Sequence, residues 1–497
     1  MNKKVLIILI LIVLISGAIS FSLLTRGQSW LDDFASYIMQ AKSISTRTMD
    51  DFVRRNAFTV NQSSYPPGPV AYPWGFPLLL VPVYAIFGIN VLAFQLVNTL
   101  FYTLFLIVFF ALARTRLTDA ESLIVVSALA VNPAMLLAHA QILSDIPFLF
   151  FSTLGIFLID RFFRGTRPDA GRQGKPSLSI ALAIGIAVFA ANFIRTNGIL
   201  LFIPLATVQG IRLWPQRRDK ANLQIQLKSA LMPYLTFGLL FAIQTLIFPD
   251  GQESYLSHFS MFSFQRLWEN FLYYLFLPSL TFDQIPGGVI IYPILLPFVI
   301  VSILSHRSRD LPIHNYGLAT VALFSLWPER QGLRFIYPIL SFLFLFSFDG
   351  MKLAIAWIKT DWQQSAKAVL LSFWIALVVV SFGISLISAR DNLAANRAIN
   401  GPLDPVSAQM FEFIREKTPS ESVIIFFKPR AMRLFTDRDS FMTDRCEDIP
   451  KGDYLALNEK VGNNGQVPPE EVLSCNSSVK LDEVFNNRRF TIYKVGK

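Results

Sequence analysis

The chain has 497 residues, 53% of them hydrophobic and 16% charged, with a formal net charge of +10. Its mean hydropathy is +0.47. A soluble protein carries roughly a quarter charged residues, so a soluble fold is excluded, and the basic surplus, clustered between apolar runs, reads as membrane topology rather than nucleic-acid binding.

Met1–Lys4 is short and basic, which predicts a cytoplasmic N-terminus. The apolar run Val5–Leu24 then predicts a first span. A signal peptide starts in a similar way, but the length of the run and the spans that follow favour an uncleaved anchor. A polar outer loop covers residues 25–72 and carries the acidic pair of "SWLDDFASYIMQAKSI", Asp32 and Asp33. Next comes "YPPGPVAYPWGFPLLLVPVYAIFG". Its prolines break a long helix, so it reads as an interfacial or re-entrant piece, with Tyr and Trp at headgroup depth.

Further spans are expected at about Val91–Ala113, Ser122–Leu137, Ile146–Phe163, Leu178–Ile194, Gly198–Ile211, Ala230–Phe248, Gly288–Leu304, Ile313–Trp327, Phe335–Phe348 and Ala368–Ile387. With the first helix that makes about eleven transmembrane helices of roughly 20 residues or fewer. The segments "RTRLTDAE", "RFFRGTRPDAGRQGK", "RLWPQRRDK", "SHRSRD" and "MKLAIAWIKTDWQQSAK" all carry Lys or Arg and fall inside, which agrees with this topology. Residues 1–390 therefore read as a transmembrane domain. An odd number of spans puts residues 391–497 outside. That stretch alternates amphipathic and apolar patterns: "SAQMFEFIREKTP" and "PRAMRLFT" as helices, "SVIIFFKP", "DYLAL" and "RRFTIYKV" as strands. A small extracytoplasmic α/β domain, read as a structural cap, is expected there. Cys446 and Cys475 both lie in it, and a disulfide is open to them in an oxidising compartment.

The spans are almost free of ionisable residues. An ion-coupled transporter, or a flippase for lipid-linked sugars, needs such groups near the bilayer midplane. Here they gather at the outer ends: Asp32 and Asp33, then Asp145 in "HAQILSDIPF", Arg195 in "FIRTNG", and Glu329, Arg330 and Arg334 in "WPERQGLRFIYP". Carboxylates act as general bases or metal ligands, and arginines grip phosphate through a planar fork of donors. The set suits a lipid phosphate lying at the outer leaflet. The chain lacks a GxxxxGKS loop, a GxGxxG after a strand and an HExxH, and glycosyl transfer from a lipid carrier needs no nucleotide site. Each residue also has a plain reading. Acids at a helix start suit the helix dipole, Asp145 suits the start of a helix opened by Pro147, and arginines anchor span ends. His139 and His258 read as polar fillers. A glycan polymerase or ligase is a further alternative, although the late outer loop is only modestly rich in Arg and His.

These blocks, taken in order, resemble the GT-C superfamily of integral-membrane glycosyltransferases. The bacterial group related to protein O-mannosyltransferases and aminoarabinose transferases is the nearest in look. The similarity rests on "DDFASYIMQAKSI", on the Tyr-Pro-Pro-Gly segment ending in Phe-Gly, on "ILSDIPFLFFSTLGIFLIDR", and on "FIRTNGILLFIPL" and "RFIYPIL". It covers most of residues 1–350. The resemblance implies a bacterial plasma-membrane enzyme with a polyprenyl-phosphate sugar donor and a lipid, glycan or protein acceptor. It implies inverting transfer, with an aspartate of the first loop as base. Asp32 and Asp33 both match versions of that motif. Asp33 is favoured because Tyr37 follows it at i+4 on the same helical face. Arg334, Arg330 and Arg195 would meet the phosphate, with Tyr37 and Asp145 beside the substrate. A divalent metal on Asp32, Asp33 and Asp145 is left open.

Overall fold

The computed structural model describes residues 2–164, 178–214, 220–251, 263–330, 332–461, 465–475 and 479–496. Parts of two basic inner segments (165–175 and 215–219) and His258 lie outside these residues.

In a bilayer every backbone amide must be paired within the segment, so long apolar runs fold as helices. Helix α1 (Lys3–Leu23) is followed by two helices in the first loop, α2 (Asp33–Thr46) and α3 (Met49–Gln62). The Pro-rich piece forms α4 (Gly75–Phe87), with Pro82 inside it. The chain continues through α5 (Val91–Ala113), α6 (Asp119–Ala130), α7 (Pro133–Leu137), α8 (Asp145–Arg164), α9 (Leu178–Ile194), α10 (Phe202–Leu213) and α11 (Lys220–Ile247). It then forms α12 (Phe264–Phe276), α13 (Ile291–Ser305), α14 (Leu311–Leu326), α15 (Tyr337–Ala356) and α16 (Thr360–Ala394). Every segment expected to span is helical. Among the described residues eight helices are long and apolar enough to cross a membrane, or nine if α6 and α7, bent by 53°, form one span. The count falls below eleven because α9 and α14 are only 17 and 16 residues long. The chain is a multi-pass membrane protein. Helix α16 begins eight residues before its expected span, since "TDWQQSAK" contains no helix breaker.

Two buried amides in α5 set the geometry of the loops at one end of the bundle. Gln95 accepts from the Thr25 backbone N–H at 2.9 Å and donates to the carbonyls of Gly27 and Ala140. Asn98 donates to the carbonyls of Gln141 and Leu143. Both are fully buried. They tie the segment before Asp32 to the segment before Asp145, so the two acidic stretches enter their helices side by side.

Helix α8 has 20 residues and so spans about 30 Å. Asp145 sits at one end and Asp160 near the other. At that far end Arg116 is buried between Asp160 at 2.7 Å and Asp310 at 2.8 Å. Arg116 belongs to a segment read as a topology signal, yet it also closes a buried ion-pair network. His139 is buried and pairs with Ser20 Oγ at 3.0 Å, in keeping with a polar filler.

The C-terminal unit contains α17 (Pro405–Lys417), β1 (Val423–Ile425), α18 (Pro429–Thr436), β2 (Asp439–Phe441), β3 (Tyr454–Asn458), α19 (Pro469–Cys475), β4 (Leu481–Asn486) and β5 (Phe490–Val495). The sheet order is β2-β1-β3-β5-β4, parallel across the first three strands and antiparallel across the last two pairs. The expected strands and helices are all present. Sequence reading missed β2, β4 and α19, which are short or exposed and lack a clean apolar period. Cys446 and Cys475 form a disulfide. The unit docks on the membrane domain through Trp30, whose ring lies 5.1 Å from that of Phe427 and 5.8 Å from that of Phe426. Arg55 adds ion pairs to Asp437 and Asp439 at 2.7 and 2.8 Å.

Candidate active site

Asp33 opens α2, and Tyr37 follows one turn later on the same face. The Tyr37 ring packs 4.7 Å from Tyr72, and its hydroxyl meets Ser144 Oγ at 3.0 Å. Tyr72 is held to α2 by Gln40, which donates to its carbonyl at 2.8 Å and accepts from its N–H at 3.3 Å. The Tyr72 hydroxyl then donates to Asp33 Oδ1 at 2.6 Å. Both terminal nitrogens of Arg334 donate to Asp33 Oδ2 at 3.1 Å. Arg334 Nε lies 3.4 Å from Asp145, and Arg195 pairs with the same carboxylate. Arg195 is also wedged between the rings of Phe148 and Phe335, at 5.9 and 5.6 Å.

The result is a continuous chain from Tyr72 through Asp33, Arg334 and Asp145 to Arg195. Tyr72, Asp33, Arg334 and Arg195 of this series line a cavity of about 590 Å³, while Asp145 itself is buried. Tyr65, Pro66 and Pro67 form another wall. Gly68 of that loop has φ +128°, and a Cβ there would meet the Tyr72 hydroxyl at 2.8 Å and Arg430 Nη1 at 3.1 Å. Only glycine accommodates both the backbone and the approach.

The two aspartates diverge. Asp33 keeps 21% of its side-chain surface and faces the cavity. Burial pushes its carboxyl up, but Arg334, the Tyr72 hydroxyl and Arg430 outweigh this and hold it below the ordinary value, so it is ionised at neutral pH. Asp32 is 7% exposed. Burial pushes its carboxyl up to about 6, against the pull of Arg430 and Lys428. Its Oδ1 accepts from the Arg430 backbone N–H at 3.2 Å, at the first turn of α18, across 398 positions of sequence. Helix α18 has no side-chain cap of its own, and Asp32 supplies one from the membrane domain.

Arg430 is fully buried. Its guanidinium donates to the carbonyls of Pro67 and Pro69 and to the Tyr72 hydroxyl, and it lies over the Tyr72 ring. The C-terminal unit also lines the cavity with Phe427, Lys428, Met442 and Gly465. It is therefore part of the site, which corrects its reading as a cap alone.

Chains of known structure share this architecture. ArnT from Cupriavidus metallidurans bound to undecaprenyl phosphate is 13% identical, with a TM-score of 0.60 over 99% of this chain and 98% of that one. Its apo state matches at 14% identity and a TM-score of 0.58, over 97% of each chain. The chain has the GT-C glycosyltransferase fold. The archaeal oligosaccharyltransferase AglB from Archaeoglobus fulgidus, in complex with an inhibitory peptide and a dolichol-phosphate, shares the fold more distantly. It is 11% identical, with a TM-score of 0.54 over 91% of this chain and 69% of that one. No protein-family model matches the sequence, and no curated protein matches it.

Within this GT-C fold the structure brings together Asp32, Asp33, Tyr37, Asp145, Arg195 and Arg334. It does not bring in Arg330. That guanidinium turns to α12, donating to Asn270 Oδ1 at 2.9 Å and lying over the Tyr273 ring. Sequence reading missed Tyr72, taken only as a headgroup-depth aromatic, and it missed Arg430 and Lys428, which carry no local signal. The acids do not suit a metal. Arg334 occupies the position between Asp33 and Asp145 that a bridging cation would take. Among the described residues no three His, Cys, Asp or Glu side chains group as ligands.

Proposed function

We propose that this protein transfers a sugar from a polyprenyl-phosphate carrier to an acceptor hydroxyl, with inversion, and that Asp33 is the base. The observation that carries the reading is the Asp33 carboxylate, held ionised by Tyr72 and Arg334 in the wall of a cavity at the end of an apolar helix bundle. The GT-C neighbours bound to undecaprenyl phosphate and to a dolichol-phosphate support the donor class.

In the transfer, the acceptor oxygen forms its bond to the anomeric carbon as the bond from that carbon to the phosphate oxygen breaks. The acceptor proton passes to Asp33, and the bonding pair leaves with the phosphate. A single displacement inverts the anomeric centre. A carboxylate with a lowered pKa is a weak base toward a free hydroxyl, but it accepts the proton late, as the forming bond acidifies that hydroxyl. Arg334 and Arg195 orient the carboxylates and offset the negative charge that develops on the leaving phosphate. Asp32 joins the two parts of the chain, and Asp145 fixes both arginines.

The cavity end faces outward in this reading, with residues 391–497 extracytoplasmic above a membrane domain of residues 1–390 in a bacterial plasma membrane. The Cys446–Cys475 disulfide supports an oxidising compartment for that unit.

The test is an assay of the purified chain with a panel of polyprenyl-phosphate sugars and hydroxyl acceptors. Asp33→Asn is expected to lose roughly 10²- to 10⁴-fold in turnover, while Asp32→Asn retains measurable transfer. Full transfer by Asp33→Asn sinks the base assignment. A wild-type chain inactive with every lipid-phosphate donor sinks the function.

A further inference from the structure

The arginines of the cavity wall are already occupied. Arg334 is paired with Asp33 and Asp145, and Arg195 with Asp145. These four side chains sum to zero formal charge. Asp32, which also lines the cavity, lies 3.8 Å from Arg430, and Glu329 adds a further negative charge to the lining. Until Asp33 takes the acceptor proton, both arginines therefore face carboxylates as well as any incoming phosphate.

One cation on the cavity is different. Lys428 also lines the space, from the C-terminal unit, and its charge bears on Asp32. Among the described residues it is the cavity-lining cation that makes neither an ion pair nor a side-chain hydrogen bond with the rest of the chain. Its ammonium lies 5.9 Å from the Phe427 ring centre, at the outer limit of a cation–π contact. Its backbone is anchored at the start of α18. Lys428 directly precedes Pro429, which opens α18. That helix is anchored by the Asp32 cap and by Arg430 against the Pro67 and Pro69 carbonyls.

We propose that Lys428 is the residue that receives the donor's phosphate, so that the C-terminal unit completes the lipid-phosphate site. This rests on the proposed glycosyl transfer from a polyprenyl-phosphate carrier. The charge balance favours it. The sugar-bearing phosphodiester carries one negative charge, and the departing lipid phosphate carries close to two once the acceptor proton rests on Asp33. Protonation of Asp33 releases Arg334 toward that added charge, and Lys428, held by neither an ion pair nor a side-chain hydrogen bond, supplies a second cation that can move to it. A lysine suits the task because its ammonium is a compact charge on a flexible stem and can follow the phosphate as the bond breaks.

The experiment uses the full chain in lipid nanodiscs. Binding of undecaprenyl phosphate, of undecaprenol and of inorganic phosphate is measured for the wild type and for Lys428→Ala, Lys428→Gln and Lys428→Arg. Thermal unfolding is followed in parallel. Removing a charge-assisted hydrogen bond from a half-buried site predicts at least tenfold weaker undecaprenyl phosphate binding in Lys428→Ala and Lys428→Gln. Lys428→Arg, which keeps the charge, should recover most of that loss, and undecaprenol binding should be unchanged in all variants. Wild-type affinity for undecaprenyl phosphate in correctly folded Lys428→Ala and Lys428→Gln overturns the assignment and leaves the glycosyltransferase reading standing. Lys428-dependent binding of inorganic phosphate as tight as that of the lipid overturns the lipid assignment. A wild-type chain that binds no undecaprenyl phosphate removes both proposals together.

Discussion

At Asp33 two donors converge on one carboxylate, the Tyr72 hydroxyl on one oxygen and the Arg334 guanidinium on the other. Oδ2 takes both terminal nitrogens of Arg334, whereas Oδ1 takes one donor and keeps a further lone pair, which leaves the group able to accept a proton. Its neighbour is buried against Arg430, and burial decides its titration. The Asp32 carboxyl is raised to about 6 from an ordinary value of 3.8. Between those two pH values the folded chain holds a proton that the unfolded chain has lost, so stability falls as pH rises through that window. The difference corresponds to roughly 3 kcal/mol. Melting curves between pH 4 and 7 should show this decline in the wild type. Asp32→Asn, which keeps the acceptor for the Arg430 N–H, should remove it. An unchanged slope in that variant would argue against Asp32 as the titrating group.

Helix α5 shows how an element inside the membrane domain shapes a site at its edge. Its two buried amides satisfy carbonyls of both loops that lead into the acidic helices. Replacing Gln95 with Leu leaves the Thr25 N–H and the Gly27 and Ala140 carbonyls without that partner. Each buried group left unpaired costs on the order of 1–3 kcal/mol. The variant should melt at lower temperature, and amides near Thr25 and Gln28 should exchange faster with deuterium. Unchanged exchange there would mean that the loops are held by other contacts. The positions of α2 and α8 were legible as acidic stretches after apolar runs. Their adjacency was not, because Gln95 lies 70 residues from Thr25 and 45 from Ala140.

At the scale of the molecule, two units share one cavity. The C-terminal unit is small, and its disulfide joins positions 29 apart in sequence. Closing such a loop in the unfolded chain is worth about 3–4 kcal/mol in the chain-entropy account. The double variant Cys446→Ser, Cys475→Ser should melt at lower temperature. Because Lys428 and Arg430 belong to the same unit, transfer activity should fall over the temperature range where that unit opens. Wild-type melting in the double variant would show that the cross-link carries no stability.

Composition and apolar run length by themselves determined that this chain crosses a membrane repeatedly, because an unpaired backbone in hydrocarbon leaves helices as the available answer. They also determined which ends of those helices carry charge, since ionisable groups are costly within the spans. The strand and helix periods of the last hundred or so residues were readable for the same reason, each period reflecting one buried face. Only the tertiary structure decided which charges meet. Arg330 and Arg334 are four positions apart and look equivalent, yet the first turns to Asn270 and the second reaches Asp33 across 301 positions. Asp32 and Asp33 are adjacent, but the start of α2 buries the first against α18 and leaves the second more open to the cavity they both line. Arg430 and Lys428 gave no local sign of a site, because what makes them part of it is the docking of Trp30 and α18, which joins segments almost 400 residues apart.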